Sequence, residues 1–262
     1  MKQDQHYIPK FILKKFTNNK THGFKVFDKK SQTYLTGTKY PKKTMMGKLF
    51  YEHSKLQPNE VEDLLSKRES LYAPLIEKIL NQEDLKRDDF RTLMEFRHVT
   101  HYRSIEFIAF HSHKKSRGKD SWLQRADWRM INGIYGVEEY ESNIKLTQLN
   151  AIKRTIDGTE PILQMSMLTP VCFAFKSSEK KFIIGDSGSL SFGGELDGVI
   201  IIVVSPEWSL MFPRTLNAVE VIKRFKLKVG DPLLVYENAP EDIVDLINQR
   251  TKDQAYEYWV ET

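Results

Sequence analysis

Near its carboxyl end the chain contains Gly198-Val199-Ile200-Ile201-Ile202-Val203-Val204, an almost continuous apolar run. A strand with one solvated face alternates between apolar and polar residues, whereas a strand covered on both faces is apolar throughout. This run therefore predicts a strand in the middle of the core.

Shorter apolar segments around this run predict further strands, and a late helix follows them. Residues 240–250 open with Pro-Glu-Asp, which is typical of a helix start because proline fits the first turn and acidic residues favour the positive end of the dipole. The further strands are predicted at Ile162–Met167, Val171–Phe175, Lys181–Ile184 and Ser209–Phe212.

The middle of the chain has helical periodicity. Asn59 is a plausible N-cap, with Glu62 three residues later as its capping-box partner. Pro74 interrupts the apolar stripe that follows, which predicts a kink or two helices there. Further helices are predicted at about Arg87–His113, Trp122–Tyr135 and Glu138–Ile156.

Before these helices, residues 23–36 have the pattern of a hairpin. Gly23–Phe27 alternates with period two, a polar turn follows, and Thr33–Thr36 continues the pattern. Helices followed by strands indicate an α+β protein rather than an alternating α/β one. We expect a single domain over 1–262, in which a helical subdomain (about 59–156) packs on a mostly antiparallel sheet formed by the N-terminal hairpin and the C-terminal strands. A separate helical insertion of about a hundred residues is the alternative boundary.

Composition limits the partners. The 262 residues carry 40 Lys and Arg against 35 Asp and Glu, a formal net charge of +5. This charge permits a phosphate-rich partner, and it equally fits an ordinary solvated basic surface. The one cysteine, Cys172, excludes an intramolecular disulfide and lies in an apolar run, so we expect it to be buried. No apolar stretch approaches the ~18 residues of a membrane span, and we expect a soluble, cytoplasmic protein with no membrane partner.

The opening of the chain carries a family resemblance. Residues 6–16 are His-Tyr-Ile-Pro-Lys-Phe-Ile-Leu-Lys-Lys-Phe. This segment resembles the domain of unknown function 4238 family, whose members begin with a pattern like His-Tyr-(Val/Ile)-Pro-x-Phe-x-Leu-x-x-Phe. Later elements of the family are similar to Val26–Asp28, Phe50–Glu52, the pair Glu62 and Glu69, Pro74, and the aspartate Asp186, although the family's proline after that aspartate is missing here. The resemblance implies a grouping and no activity.

One group of candidate catalytic residues lies on the second predicted helix. Arg97 and His101 are one turn apart on the same face, and His98 lies on a neighbouring face. An arginine that holds phosphate and a histidine that moves a proton suit RNA phosphodiester cleavage. The spacing of Arg91 and His98 also resembles the Arg-x₄₋₆-His pattern of HEPN-type ribonucleases. The alternative is a charged helix face whose histidines are satisfied by neighbouring side chains.

A second group comprises His6, Glu62, Glu69 and Asp186, all at positions that resemble the family's. If they converge, His6 and Asp186 could assist catalysis, and Glu62, Glu69 and Asp186 could bind Mg²⁺ or Mn²⁺. Their spacing is not a metal motif. The alternatives are a helix cap for Glu62, a turn residue for Asp186 and a packed anchor for His6.

Two further patterns in the sequence bear on function. Gly185-Asp186-Ser187-Gly188 matches the string around the nucleophile of trypsin-like proteases, but the long predicted helices contradict that fold. Basic residues interleaved with aromatic ones, such as Tyr40, Trp122 and Trp128, predict contacts to RNA or single-stranded DNA, with packing as the alternative role of the tryptophans. The candidate nucleic-acid-binding residues are Lys42, Lys43, Lys114, Lys115, Arg117, Arg125 and Arg129.

These patterns favour a nucleic-acid-acting protein, with an RNA-directed nuclease or a toxin- or defence-type effector as the leading hypothesis. The alternative is a non-catalytic module that binds nucleic acid or a protein through its basic surface. Convergence of the histidines on one site favours catalysis, whereas lysines on one open face favour binding alone.

Overall fold

The structure is a computed structural model, and it describes residues 4–48, 50–103, 144–168, 170–191, 199–213, 228 and 231–261. The predicted helix 122–135 and the end of the predicted helix 87–113 lie outside these residues. Within them, helices are α1 (Lys10–Lys15), α2 (Glu60–Leu80), α3 (Arg87–Tyr102), α4 (Ile144–Asp157), α5 (Pro161–Ser166) and α6 (Glu241–Gln254).

The strands confirm the α+β class, and they divide among separate sheets. The strands in the described part of the chain are β1 (Asp4–His6), β2 (Lys25–Asp28), β3 (Thr33–Tyr34), β4 (Met46–Lys48), β5 (Val171–Lys176), β6 (Ile184–Gly185), β7 (Leu190–Ser191), β8 (Ile200–Ser205), β9 (Trp208–Phe212), β10 (Leu233–Asn238) and β11 (Tyr258–Glu261).

The central sheet has the order β10-β5-β9-β8-β7 and is antiparallel except for the pair β10 and β5. Its strand β8 is the apolar run, and residues Ile201–Ser205 are all buried. Helix α1 packs against β8. The prediction of a core strand is therefore confirmed.

The N-terminal hairpin joins the end of the chain rather than the central sheet. A second sheet has the order β3-β2-β11-β6, in which β11 pairs with both β2 and β6. Phe27 faces Trp259 in the register, and their rings stack with centroids 4.2 Å apart. Strands β1 and β4 form a separate antiparallel pair. The predicted antiparallel sheet of the N-terminal hairpin with C-terminal strands is thus confirmed, and the strands of the described residues divide among three sheets.

Two local predictions are wrong. Ile162–Met167 was predicted as a strand but lies almost entirely in helix α5, which begins at Pro161. A six-residue apolar run does not distinguish a strand from a buried helix by periodicity alone. Of Lys181–Ile184, only Ile184 belongs to a strand.

Helix α2 follows Asn59 as predicted, but Pro74 does not divide it. Pro74 is exposed, and the buried stripe on either side of it holds the helix against the core. The capping differs from the predicted box, because the backbone N–H of Asn59 donates to Glu52 Oε1 at 3.1 Å and that of Gln57 to Glu60 Oε2 at 2.9 Å.

Arg103, at the end of α3, joins the N-terminal segment to α2. Its guanidinium is almost fully buried. Nε donates to the hydroxyl of Tyr51 (3.1 Å), Nη1 to Glu69 Oε1 (2.8 Å) and Nη2 to the carbonyl oxygen of His6 (2.6 Å). One buried cation thus binds three segments that are distant in sequence.

Replacing Arg103 should destabilise the protein. We expect Arg103→Met to lower the free energy of unfolding by about 3 kcal/mol, because it leaves the Glu69 carboxylate without its cation and removes the hydrogen bonds that Arg103 donates to Tyr51 and His6. Arg103→Lys should show an intermediate loss, since one ammonium cannot reach all three acceptors. Arg87→Met, at an exposed helix start, should stay within about 0.5 kcal/mol. Denaturant unfolding followed by circular dichroism measures these changes, and a loss in Arg103→Met no larger than the control's would contradict the assignment.

Candidate functional site

Helix α3 directs Arg97 and His98 at the end of α5. Nη1 of Arg97 donates to the hydroxyl of Ser166 at 2.9 Å, and Nε2 of His98 lies 2.9 Å from the same hydroxyl. The same arginine nitrogen is 3.2 Å from Nε2 of His98. Because a guanidinium only donates, this imidazole nitrogen accepts, and the hydrogen-bond pattern assigns the ring proton to Nδ1. The guanidinium also lies over the ring of Phe212 in β9, 5.8 Å from its centroid.

One turn later, His101 meets the loop between β6 and β7. Its Nδ1 is 3.3 Å from the hydroxyl of Ser189. This loop approaches α3 closely because Gly188 has a positive φ of 71°. A Cβ at this glycine would lie 3.0 Å from Cδ1 of Ile8 and 3.6 Å from Cγ2 of Thr100. Glycine thus permits both the backbone conformation and the contact that brings Ser189 to His101.

Both imidazoles are neutral near pH 7. Burial, followed by the charge of Arg97, lowers the pKa of His98 well below its usual range, and the same two causes lower the pKa of His101 to about 4. A neutral imidazole can accept a proton, and the adjacent guanidinium stays charged at any physiological pH. The arrangement therefore combines proton acceptors with a fixed cation. We call Arg97, His98, His101, Ser166 and Ser189 the arginine–histidine cluster.

Asp186 lies three residues before Ser189 but points elsewhere. Its carboxylate is fully buried and accepts the backbone N–H groups of Tyr256 (2.7 Å), Glu257 (2.7 Å) and Tyr258 (2.9 Å). Burial raises the pKa of Asp186 to about 6, while the three N–H donors act in the opposite direction. This carboxylate thus fixes the start of β11, and the amides it bonds are about 70 residues away rather than in its own turn.

The other predicted metal ligands are also engaged. Nε2 of the half-buried His6 bonds the carbonyl oxygen of Pro41 at 2.7 Å, and burial lowers the pKa of this histidine. Glu69 pairs with Arg103, which brings it near His6, and Glu62 lies on the same helix. No group of three or more His, Cys, Asp or Glu side chains that could hold a metal ion occurs among the described residues. The structure therefore does not bring Glu62, Glu69 and Asp186 together as a site for Mg²⁺ or Mn²⁺.

The predicted nucleic-acid-binding residues divide into two groups. Lys42 and Lys43 are exposed on a 3₁₀ turn, Pro41–Lys43. Arg91, of the HEPN-like spacing, is exposed and lies beside Gly158, away from the cluster. The remaining basic residues lie outside the described part of the chain: Lys114, Lys115, Arg117, Arg125 and Arg129.

Three residues that the structure makes prominent are not among the site residues predicted from the sequence. Ser189 directly follows the Gly-Asp-Ser-Gly string, in which Asp186 is the predicted site residue. Ser166 carried no signal because its segment was predicted as a strand. Arg103 lies at the end of the helix that carries Arg97. Nothing in its sequence spacing indicates that its side chain is buried and bonded to three other segments. Ser187, at the protease-like nucleophile position, is buried and lines a cavity no larger than about one water molecule.

Comparison with known proteins identifies a family for this chain and no activity. A family model described as a protein of unknown function (DUF4238) matches residues 4–260, nearly the whole chain, which confirms the resemblance inferred from the sequence. No curated protein and no solved structure matches the chain. Within the described residues, every helix is too short or too polar to cross a membrane.

Replacing Asp186 should loosen the carboxyl-terminal strand. In Asp186→Asn one oxygen becomes an amide nitrogen that cannot accept, so at least one of the three backbone hydrogen bonds is lost. We expect a stability loss of about 1.5–3 kcal/mol by thermal or denaturant unfolding. Asp245→Asn removes an exposed carboxylate paired with Lys180 and should cost under about 1 kcal/mol. Equal stability of the two variants would rule out this role for Asp186.

The buried histidines should make the fold acid-sensitive. The unfolded chain binds a proton at His101 near pH 6.5, whereas the folded chain does so only near pH 4. The contribution of neutral His101 to the free energy of unfolding is therefore complete above pH 6.5 and is lost as the pH falls toward 4. We expect this loss in the wild type to exceed that in His101→Gln by about 1–2 kcal/mol between pH 6.5 and 5. His22→Asn, at an exposed histidine, should keep the wild-type pH dependence. Parallel curves for the wild type and His101→Gln would show that His101 makes no such contribution.

Proposed function

We propose that this chain, which belongs to the DUF4238 family, acts on nucleic acid and cleaves RNA phosphodiester bonds at the arginine–histidine cluster. One observation carries the proposal: Arg97 and His98 share the hydroxyl of Ser166, and one turn later His101 contacts Ser189, near enough to Arg97 for its charge to lower the pKa of His101. The sequence predicts these three α3 residues as a phosphate-binding and proton-transfer group. Their polar partners come from α5 and from the loop between β6 and β7.

In the proposed reaction the substrate supplies its own nucleophile. The 2′-hydroxyl gives its proton to the neutral imidazole of His101 and attacks the adjacent phosphorus. The bond from O2′ to phosphorus forms as the bond to O5′ breaks, and O5′ takes a proton from water, as His101 later returns its own to water. The guanidinium of Arg97 stabilises the charge that develops on the phosphorane. The products are a 2′,3′-cyclic phosphate and a 5′-hydroxyl.

The roles within the cluster differ. His101 is less buried than His98, and we therefore assign it as the base. His98 is only 3% exposed, and its Nε2 lies against Arg97 and Ser166. We assign His98 and Ser166 as positioning residues that orient the guanidinium. DNA lacks the 2′-hydroxyl, so RNA is the expected substrate, and such an activity would suit a toxin- or defence-type effector.

A second candidate function, from a different class, is a non-catalytic module that binds nucleic acid. Two observations favour it. The burial of His98 is also what a histidine satisfied in the core would show. Lys42 and Lys43 are exposed beside Tyr40, whose side chain is 49% exposed.

Cleavage of end-labelled RNA and of DNA with the same sequence separates the two functions. The wild type should cut the RNA and leave the DNA intact, and the products should carry cyclic phosphate ends. Arg97→Ala and His101→Ala should each slow cleavage by at least about 100-fold. His98→Ala should slow it less, and His22→Ala, purified in the same way, should match the wild type.

Other outcomes decide against the proposed reaction. Equal cleavage by the wild type, Arg97→Ala and His101→Ala would exclude these residues and point to a contaminating nuclease. Cleavage that EDTA abolishes and Mg²⁺ or Mn²⁺ restores would replace the acid–base mechanism with a metal-dependent one. Salt-sensitive binding of RNA by all variants, with no cleavage by any, would establish the binding module.

A further inference from the structure

The residues Tyr40–Lys43, which we call the basic turn, are held in place by hydrogen bonds to their backbone. His6 Nε2 bonds the carbonyl oxygen of Pro41 at 2.7 Å. The hydroxyl of Thr44 and the backbone N–H of Lys43 both donate to the carbonyl oxygen of Tyr40, each at 2.9 Å. The carbonyl oxygen of Pro41 can only accept a hydrogen bond, so the imidazole of His6 carries its proton on Nε2. The first residue of the family-like opening thus acts as a support for this turn.

What the turn presents is a ring and several positive charges. Tyr40 is 49% exposed, and Lys42 and Lys43 are exposed. Helix α1 packs against the turn, and its first residue, Lys10, is exposed. The charge of Lys10 contributes to the lowered pKa of His6, which places this ammonium near the same support.

A short series of contacts connects the basic turn to the arginine–histidine cluster. From His6 the backbone reaches Ile8 in two residues, which is at most about 7 Å. The side chain of Ile8 lies against Gly188, and the next residue, Ser189, contacts His101. His6, which supports the turn, and Ile8, which lies against the loop that carries Ser189, are therefore parts of one short segment.

We infer that Tyr40, Lys42 and Lys43, together with Lys10, form a binding surface for single-stranded RNA. This inference rests on the proposed function, because it names the strand that the cluster would cut. An exposed tyrosine ring stacks on an unpaired base, while the ammonium groups two and three residues along the chain meet neighbouring phosphates. Paired bases hide their faces within the helix, so a duplex offers the ring nothing to stack on. Lysines act as point charges without base readout, so binding is independent of sequence.

The rigidity of the turn matters for affinity. A flexible loop would lose conformational freedom on binding, and this loss would oppose association. Here the hydrogen bonds from His6, Thr44 and the backbone of Lys43 have already ordered the turn. His6 is thus a positioning residue for binding, acting through Pro41.

Fluorescence anisotropy with a labelled 20-nucleotide single-stranded RNA tests the surface, with the duplex of the same sequence as competitor. The variant Lys42→Glu/Lys43→Glu should bind at least tenfold more weakly at low salt. Two lost phosphate contacts should also reduce the slope of log affinity against log salt by about 1.4. Lys55→Glu/Lys67→Glu makes the same charge change at exposed lysines elsewhere and should keep the wild-type slope. Tyr40→Ala should weaken binding about tenfold, whereas Tyr256→Ala, at a tyrosine of similar exposure, should not.

The outcomes separate this surface from the proposed reaction. His101→Ala should lose cleavage even at RNA concentrations that saturate binding, whereas Lys42→Glu/Lys43→Glu should lose affinity and so raise the KM for long RNA. Wild-type affinity and slope in Lys42→Glu/Lys43→Glu would overturn the surface while leaving the cleavage test intact. Stronger competition by the duplex than by the single strand would also overturn it, because stacking on Tyr40 would then have no role.

Discussion

The buried guanidinium of Arg103 is the interaction on which the rest of the structure depends. It binds the carbonyl oxygen of His6, the hydroxyl of Tyr51 and the carboxylate of Glu69, so the N-terminal segment, the residues before α2 and α2 itself meet at the end of α3. Tyr51 reinforces the same point, since its hydroxyl also donates to the carbonyl oxygen of His6 at 2.8 Å. Because the segment is fixed there, its imidazole can support the basic turn and Ile8 can lie against Gly188. A buried cation is costly unless it is paired and hydrogen-bonded, and the hydrogen bonds of this one hold three distant pieces of chain.

Helix α3 separates two polar environments. Toward α2, the buried carboxylate of Glu95 accepts Nε of Arg68 and the hydroxyl of Tyr72, each at 2.5 Å. Toward α5 and the loop before β7, the helix presents Arg97 and His101. The carboxylate on the first face is matched by its own arginine, so the second face keeps positive character. This division lets one helix contribute both to the core and to a candidate phosphate site.

The two ends of the chain meet around Asp186. Its carboxylate fixes the amides of Tyr256 and Tyr258, and the strand that begins there lies between β2 and β6. The same loop continues through Gly188 to Ser189 and thus to His101. The loop that carries Ser189 is therefore held at two points. Asp186 binds it to β11, and Ile8 lies against it at Gly188. The carboxylate of Asp186 thus holds the loop that carries Ser189 against the start of the last strand.

The sequence by itself determined the local elements and the residues that α3 carries. Periodicity located α2 and α3, the Pro-Glu-Asp opening located α6, the apolar run located β8, and helical spacing placed Arg97 and His101 on one face. Only the tertiary structure decided the partners: Ser166 is 68 residues from His98, and Ser189 is 88 residues from His101. It also decided that β2 pairs with β11 and that residues 161–166 are helical. Periodicity reports which face of an element is buried, because that depends on neighbours a few residues apart. It does not report what covers that face, since the covering segment is chosen by packing across the whole chain.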